Sequence, residues 1–316
     1  MNLADSVSVR FRDSRSAESS GGMDGGAVEA GAAELRARSA VVARRTDTVP
    51  EDTLQESKGP TPHGRTDFPE PEGGLGRSVL SVLFWLWVGV SGISLSLLGI
   101  LLFLPFNPWV DPRRHVIGFV SSLWGKAIIY ALPGIAFRVD GRNRLSALSG
   151  PVVFCPNHQS VADIPLLLTF LPLAKFLVRA DVFSLPVMGL HLRLCGYIRA
   201  PSKRGEPGPD PLLEAESWLR RGCNIVIFPE GTRSPDIHRL LRFRRGAFDL
   251  AQRAGVPLVP VAIQGTGRVI GKGKLRFRFT GRIRVQLLEP LWVTGDARQM
   301  AAQVRDRIQH AIDEPA

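Results

Sequence analysis

From Ser78 to Val110 the chain runs for 33 positions without a charged side chain. About twenty apolar residues carry a helix across the hydrocarbon core of a bilayer, so this stretch predicts a membrane-embedded helical segment at the head of the folded chain. It contains the runs Val79 to Val88 and Leu95 to Phe106, and Pro105 and Pro108 mark its end. Ser91-Gly92 near the middle would allow a re-entrant bend, which leaves spanning and dipping both open. Arg113 and Arg114 follow directly while only Arg77 flanks the other side, and that bias places the downstream body on the cytoplasmic side of the membrane. A second apolar stretch, Val116 to Phe137 with Trp124, Lys126 and Tyr130 interspersed, reads as a helix lying against the bilayer or against the first. Residues 77–137 are therefore expected to form one membrane-associated helical segment.

What precedes this segment has a different chemistry. Residues 1–76 are rich in Gly, Ser, Ala, Pro and mixed charge and show no sustained periodicity, so they are expected to remain a disordered tail. The tail has no signal-peptide apolar core, and its acidic residues argue against a transit peptide. Residues 1–74 carry a net charge of −4 and the rest of the chain +15. A basic body calls for an anionic partner, nucleic acid or a phospholipid surface. The apolar segment and the lack of a recognisable reading motif argue against nucleic acid and favour the bilayer. Cys155, Cys195 and Cys223 are widely spaced, with no Cys-x-x-Cys pair and no histidine at zinc-finger intervals. They read as reduced thiols, and no metal site is expected.

Residues 138–316 have the pattern of an α/β domain with a mainly parallel sheet flanked by helices. Short β-branched runs at 152–154, 176–178, 225–228 and 258–263 alternate with helical stretches near 160–171, 181–194, 210–221 and 246–255, and a closing amphipathic helix is expected over 295–313. Ligands should bind in the loops beyond the C-terminal ends of the strands. A hairpin is also expected, Leu275 to Phe279 turning at Thr280-Gly281 into Arg282 to Val285. Its arginines alternate with apolar residues, which suits either a charge-guarded edge or contact with anionic lipid headgroups.

The candidate chemistry starts at Cys155-Pro156-Asn157-His158-Gln159-Ser160-Val161-Ala162-Asp163. Histidine can exchange a proton near neutral pH, and a carboxylate can fix its tautomer. On one continuous helix, residues five apart would not face each other. His158 and Asp163 can meet only if His158 lies in the loop before a helix and Asp163 in its first turn, a placement Pro165 favours. Ser160 and Asp163 also fit a capping box, which alone would explain the carboxylate. Cys155 is a conceivable nucleophile beside His158, or a core residue at a strand end. Further on, Phe228-Pro229-Glu230-Gly231-Thr232-Arg233-Ser234 puts a carboxylate, a permissive glycine, a hydroxyl and a guanidinium in one turn, suited to gripping a phosphate. Between these lies Gly196-Tyr197-Ile198-Arg199, and downstream Phe243-Arg244-Arg245-Gly246 adds two cations before a helix.

Asn157-His158-Gln159-Ser160 with Asp163, then Gly196-Tyr197-Ile198-Arg199, then Phe228 to Ser234, then Val256-Pro257-Leu258-Val259-Pro260-Val261, resemble the four ordered blocks of the glycerolipid acyltransferases, most closely the 1-acyl-sn-glycerol-3-phosphate (lysophosphatidate) acyltransferases. The likeness covers roughly residues 80–290, and where the family often has an acidic residue this chain has Ile198. The resemblance implies an O-acyltransferase that moves an acyl group from acyl-CoA or acyl carrier protein to a lysophospholipid, without a cofactor. By it, His158 is the general base and Asp163 its orienting partner. Asn157, Arg199, Glu230, Gly231, Thr232 and Arg233 bind substrate, and backbone N–H groups at the helix after His158 stabilise the oxyanion. A lyso-ornithine lipid or another lysolipid as acceptor, or an inactive lipid-binding copy of the fold, are the alternatives.

Overall fold

The computed structural model describes residues 74–103, 110–132, 134–146, 148–171, 173–202, 206 and 208–314. The expected tail, apart from its last three residues, and the prolines at 105 and 108 lie outside them. Helix α1 (Leu75–Phe103) continues unbroken through Ser91-Gly92, so the bend those residues would allow does not occur. Its faces are inverted relative to a soluble helix. Ser81, Ser91, Gly92, Ser96 and Gly99 are buried, while Val82, Leu86, Val90, Ile93, Leu97 and Leu101 are exposed. Small residues inward and large aliphatics outward is the pattern of a helix solvated by lipid. At about 43 Å it is long enough to cross a bilayer, and it gives the chain a membrane-associated surface.

The small face of α1 receives α2 (His115–Tyr130): an added Cβ on Gly92 would meet Trp124 at 3.2 Å, and one on Gly99 would meet Val120 at 3.3 Å. The expected apolar segment over 116–137 is in fact two elements. The helix ends at Tyr130, Gly134 turns the chain at φ 73°, and Phe137 belongs to strand β1 (Ile135–Asp140). The start of α2 is clamped to the rest of the domain. Arg113 donates to the carbonyl of Arg221 at 2.7 Å, and Arg114 to those of Arg193 and Leu194 at 2.7 and 2.8 Å.

The strands β2 (Val153–Pro156), β3 (Lys175–Arg179), β4 (Ile198–Ala200), β5 (Ile225–Val226), β6 (Leu258–Gln264) and β7 (Gly281–Leu287) join β1 in one seven-stranded sheet of order β1-β7-β6-β2-β5-β3-β4. All neighbours are parallel except β6 and β7. Both faces are covered. Phe154 points into the apolar cluster under α2 and α3 (Asp163–Leu168). Val153 and Cys155 point to the opposite cluster, with α5 (Pro211–Arg220), α6 (Gly246–Ala254) and α7 (Ala297–Asp313). That alternation is the period of two expected of a strand buried on both sides. A 3-10 turn over Ala180–Ser184 and α4 (Met188–Cys195) connect β3 to β4.

The expected hairpin does not form. Only its second half is a strand, and β7 pairs with β1 and β6 instead of with residues 275–279. Those residues lose their strand because α1 takes their hydrogen bonds and side chains. Trp85 Nε1 donates to the Leu275 carbonyl at 2.8 Å, and the Phe277 N–H donates to Ser81 Oγ at 3.0 Å. Phe277 packs edge-on against Phe84, ring centroids 4.5 Å apart.

Candidate active site

β6, β2 and β5 are adjacent and parallel, so the loops that follow them leave the same edge of the sheet at its middle. Sequence separations of about a hundred residues collapse there into hydrogen-bond distances. His158 lies in the loop after β2, and Asp163 opens α3, the placement required for them to meet. His158 Nδ1 stands 2.7 Å from Asp163 Oδ2. The same oxygen accepts the N–H groups of Gln159 and Ser160 at 2.8 Å each. Asp163 is wholly buried, while the His158 side chain keeps 15% of its surface open. Its ring stacks on Phe228 with centroids 4.0 Å apart, so the imidazole is held both in its plane and at its edge.

The capping interpretation of Asp163 is half realised. Asp163 reaches back to the Ser160 N–H, but Ser160 Oγ does not return the bond to residue 163. It accepts from the Ala162 N–H at 3.1 Å and donates to the Ile270 carbonyl at 2.7 Å. The N–H groups of Gln159, Ser160 and Ala162 are all engaged within the chain, so those three are not free for an oxyanion. Asn157 is completely buried, donating to the Ile263 carbonyl at 3.0 Å and accepting its N–H at 2.7 Å. Its amide mimics a strand and fixes the peptide before His158. Cys155 lies in the core, where burial pushes its thiol far above the ordinary range and removes it as a nucleophile.

Glu230 is turned inward. Its Oε1 accepts the His158 N–H at 2.8 Å and its Oε2 the Leu241 N–H at 2.9 Å. Burial raises this carboxyl above its usual range, against the pull of those two donors. Glu230 thus buckles the loop after β5 to the loop after β2, and Ser234 N–H adds a bond to the His158 carbonyl at 2.8 Å. Gly231 has φ 68°, a conformation that suits glycine. Gly231 and Thr232 are exposed and Arg233 is half-buried. Arg199 is the expected residue that the fold does not gather in. It sits on β4 at the sheet edge, three strand spacings or roughly 14 Å from β2, and pairs with Glu206 at 3.2 Å.

The sequence pattern did not single out Phe228 as the ring under His158. It also missed Gln159, whose amide donates to the Ile237 carbonyl at 2.8 Å, and Ile270, whose carbonyl receives Ser160. These contacts join residues 70 to 110 positions apart, beyond what local spacing can show.

A partly exposed imidazole backed by a buried carboxylate, with an arginine in the adjoining loop that meets no carboxylate among the described residues, can take a proton from a hydroxyl beside a bound anion. Comparison with known proteins agrees with that chemistry. A family model described as Acyltransferase matches residues 136–264. The chloroplastic 1-acyl-sn-glycerol-3-phosphate acyltransferase of Arabidopsis thaliana is 32% identical over 253 residues, covering 78% of this chain and 68% of the relative. Its chloroplastic counterpart in Brassica napus is 32% identical over 275 residues, covering 85% and 76% respectively. The crystal structure of the 1-acyl-sn-glycerophosphate acyltransferase of Thermotoga maritima superposes with a TM-score of 0.62 at 26% identity, over 75% of this chain and 95% of the other.

Proposed function

Because the chain belongs to the 1-acyl-sn-glycerol-3-phosphate acyltransferase family, we propose that it moves a fatty acyl group from an acyl thioester to the free hydroxyl of lysophosphatidate, giving phosphatidic acid. The observation that carries the mechanism is the 2.7 Å contact between His158 Nδ1 and the buried Asp163. A carboxylate at Nδ1 holds the proton there, which leaves the lone pair on Nε2. Nε2 removes the acceptor hydroxyl's proton as its oxygen attacks the thioester carbonyl. Asp163 stabilises the imidazolium, and collapse of the tetrahedral intermediate expels the thiolate, which takes the proton back. No acyl-enzyme is needed, and the buried Cys155 offers none.

In this reading Arg233 grips the acceptor phosphate, with Gly231 and Thr232 shaping the turn, while Glu230 holds the two loops in register and Asn157 pins the start of the His158 loop to β6. The acyl donor is a thioester of coenzyme A or of acyl carrier protein. The exposed aliphatic face of α1 keeps the site at the level of an acceptor that is itself dissolved in the bilayer. The Arg113-Arg114 pair supports a catalytic domain on the cytoplasmic side.

The test is full-length protein in lipid nanodiscs, given acyl-CoA or acyl carrier protein donors and lysophosphatidate, lysophosphatidylethanolamine or lyso-ornithine lipid, with products read by mass. Phosphatidic acid is the expected product, and His158→Ala, still folded, should form none. Turnover retained in His158→Ala would remove the base, and product from another lysolipid alone would overturn the acceptor.

A further inference from the structure

We propose that Lys272 and Arg244, neither of them in the four sequence blocks, join Arg233 in a three-cation cradle that selects a phosphate monoester over the phosphodiester of other lysophospholipids; this rests on the acyltransferase reading. The turn Gly231-Thr232-Arg233 is flanked by both. A Cβ added to Gly231 would lie 2.8 Å from Cζ, 2.9 Å from Nε and 3.1 Å from Nη1 of Arg244, so that guanidinium rests directly against the turn. Lys272 Nζ donates to the Arg233 carbonyl at 2.8 Å and stands 3.5 Å from Thr232 Oγ1.

These cations gather at one turn, and no counter-charge is gathered with them. Glu230, the acid of the turn itself, is turned away with both oxygens on backbone N–H groups. The guanidinium groups of Arg233 and Arg244 meet no carboxylate among the described residues. Three like charges around one turn repel, and a bound anion removes that cost.

The charge count points to the class of anion. A phosphate monoester near neutral pH carries between one and a half and two negative charges on three terminal oxygens, roughly as a phosphorylated side chain does. The diester of a lysophospholipid carries one charge on two. Arg233 in a bidentate fork occupies two oxygens, and only a monoester offers a third to Lys272 or Arg244. Lys272 is also well placed relative to the base. It lies two residues past Ile270, which holds Ser160, and three before Leu275, which holds Trp85 of α1. The cation, the His158 loop and the membrane helix are thus set by one short stretch of chain.

The experiment compares wild type with Lys272→Met, Arg244→Met and Lys272→Arg, measuring kcat and KM for lysophosphatidate and for lysophosphatidylethanolamine. Each neutral variant should raise KM for lysophosphatidate about tenfold or more. KM for the diester should stay within about twofold of wild type, and Lys272→Arg should recover most of the loss. A second measurement needs no turnover: millimolar glycerol 3-phosphate should raise the melting temperature of the wild-type protein, and much less that of the double neutral variant, while glycerophosphoethanolamine shifts neither. Equal losses with both acceptors, an unchanged KM, or no wild-type shift with glycerol 3-phosphate would overturn the cradle. Wild type that turns over no lysolipid yet is stabilised by glycerol 3-phosphate would instead overturn the acyltransferase reading and leave the cradle standing.

Discussion

Asp163 carries two duties on one oxygen: it orients His158 and it ties down the N–H groups of Gln159 and Ser160. Truncation to alanine would strip three buried donors of their acceptor at once, so it mixes folding with catalysis. Asp163→Asn separates them. With its amide oxygen in the place of Oδ2 all three donors keep an acceptor, but the negative charge that stabilises the imidazolium is gone. Turnover should fall by roughly 10³–10⁴-fold with little change in melting temperature, measured on the same preparation. Glu230 gives a contrasting case, because both of its oxygens are acceptors. Glu230→Gln must turn an NH2 toward the N–H of His158 or of Leu241, which should cost about 1–3 kcal/mol of stability in chemical denaturation.

Among the elements, α2 and α3 decide whether the base is held in place. Gly125 of α2 lies so close to α3 that an added Cβ would sit 2.7 Å from the Pro165 carbonyl oxygen and 2.8 Å from Leu168 Cβ. Ser122 Oγ donates to the Leu168 carbonyl at 2.9 Å, fixing the same approach from the next turn. Gly125→Ala must push α3 outward and carry Asp163 with it. A loss of about 1–3 kcal/mol is expected, with kcat lowered more than KM is raised, as steady-state kinetics would show. This contact was not legible beforehand, since Gly125 reads as one more small residue in an apolar helix. The existence of α2, α3 and the central strands was legible, because their apolar runs have the right period and length. The strand expected over residues 275–279 failed for the complementary reason. Its alternation is genuine, but the apolar residues face a helix that sequence spacing could not place beside them.

At the scale of the whole molecule, the described residues from 74 onward form one compact unit, in which the membrane-facing helices are tied to the rest by buried polar groups. Ser121 Oγ of α2 stands 2.8 Å from His191 Nε2 and 3.2 Å from Cys195 Sγ, both on α4. Lys175, buried in β3, donates to the carbonyls of Arg113 and Cys195 at 2.9 and 2.8 Å. Burial depresses the His191 imidazole from 6.5 to about 4. The unfolded chain therefore binds a proton that the folded one refuses, and stability held above pH 6.5 is lost as pH falls toward 4. The loss attributable to this group is on the order of 3 kcal/mol. Thermal melts across that range should show a fall in melting temperature that is smaller in His191→Gln, whose side chain does not titrate; equal slopes would exclude His191 as the cause.

The sequence by itself determined what depends on neighbours along the chain: an uncharged stretch long enough for a bilayer, strands and helices in alternation, and a histidine and carboxylate spaced to meet across a helix start. The tertiary structure decided which distant groups share a loop edge, because only the order of β6, β2 and β5 brings Ile270, His158 and Glu230 together. It left Arg199 at the rim, and it spent the N–H groups of Gln159 and Ser160 on Asp163. The reason is physical: local periodicity encodes which face of an element is buried, whereas the partner on that face is chosen by chain crossings that no local pattern records.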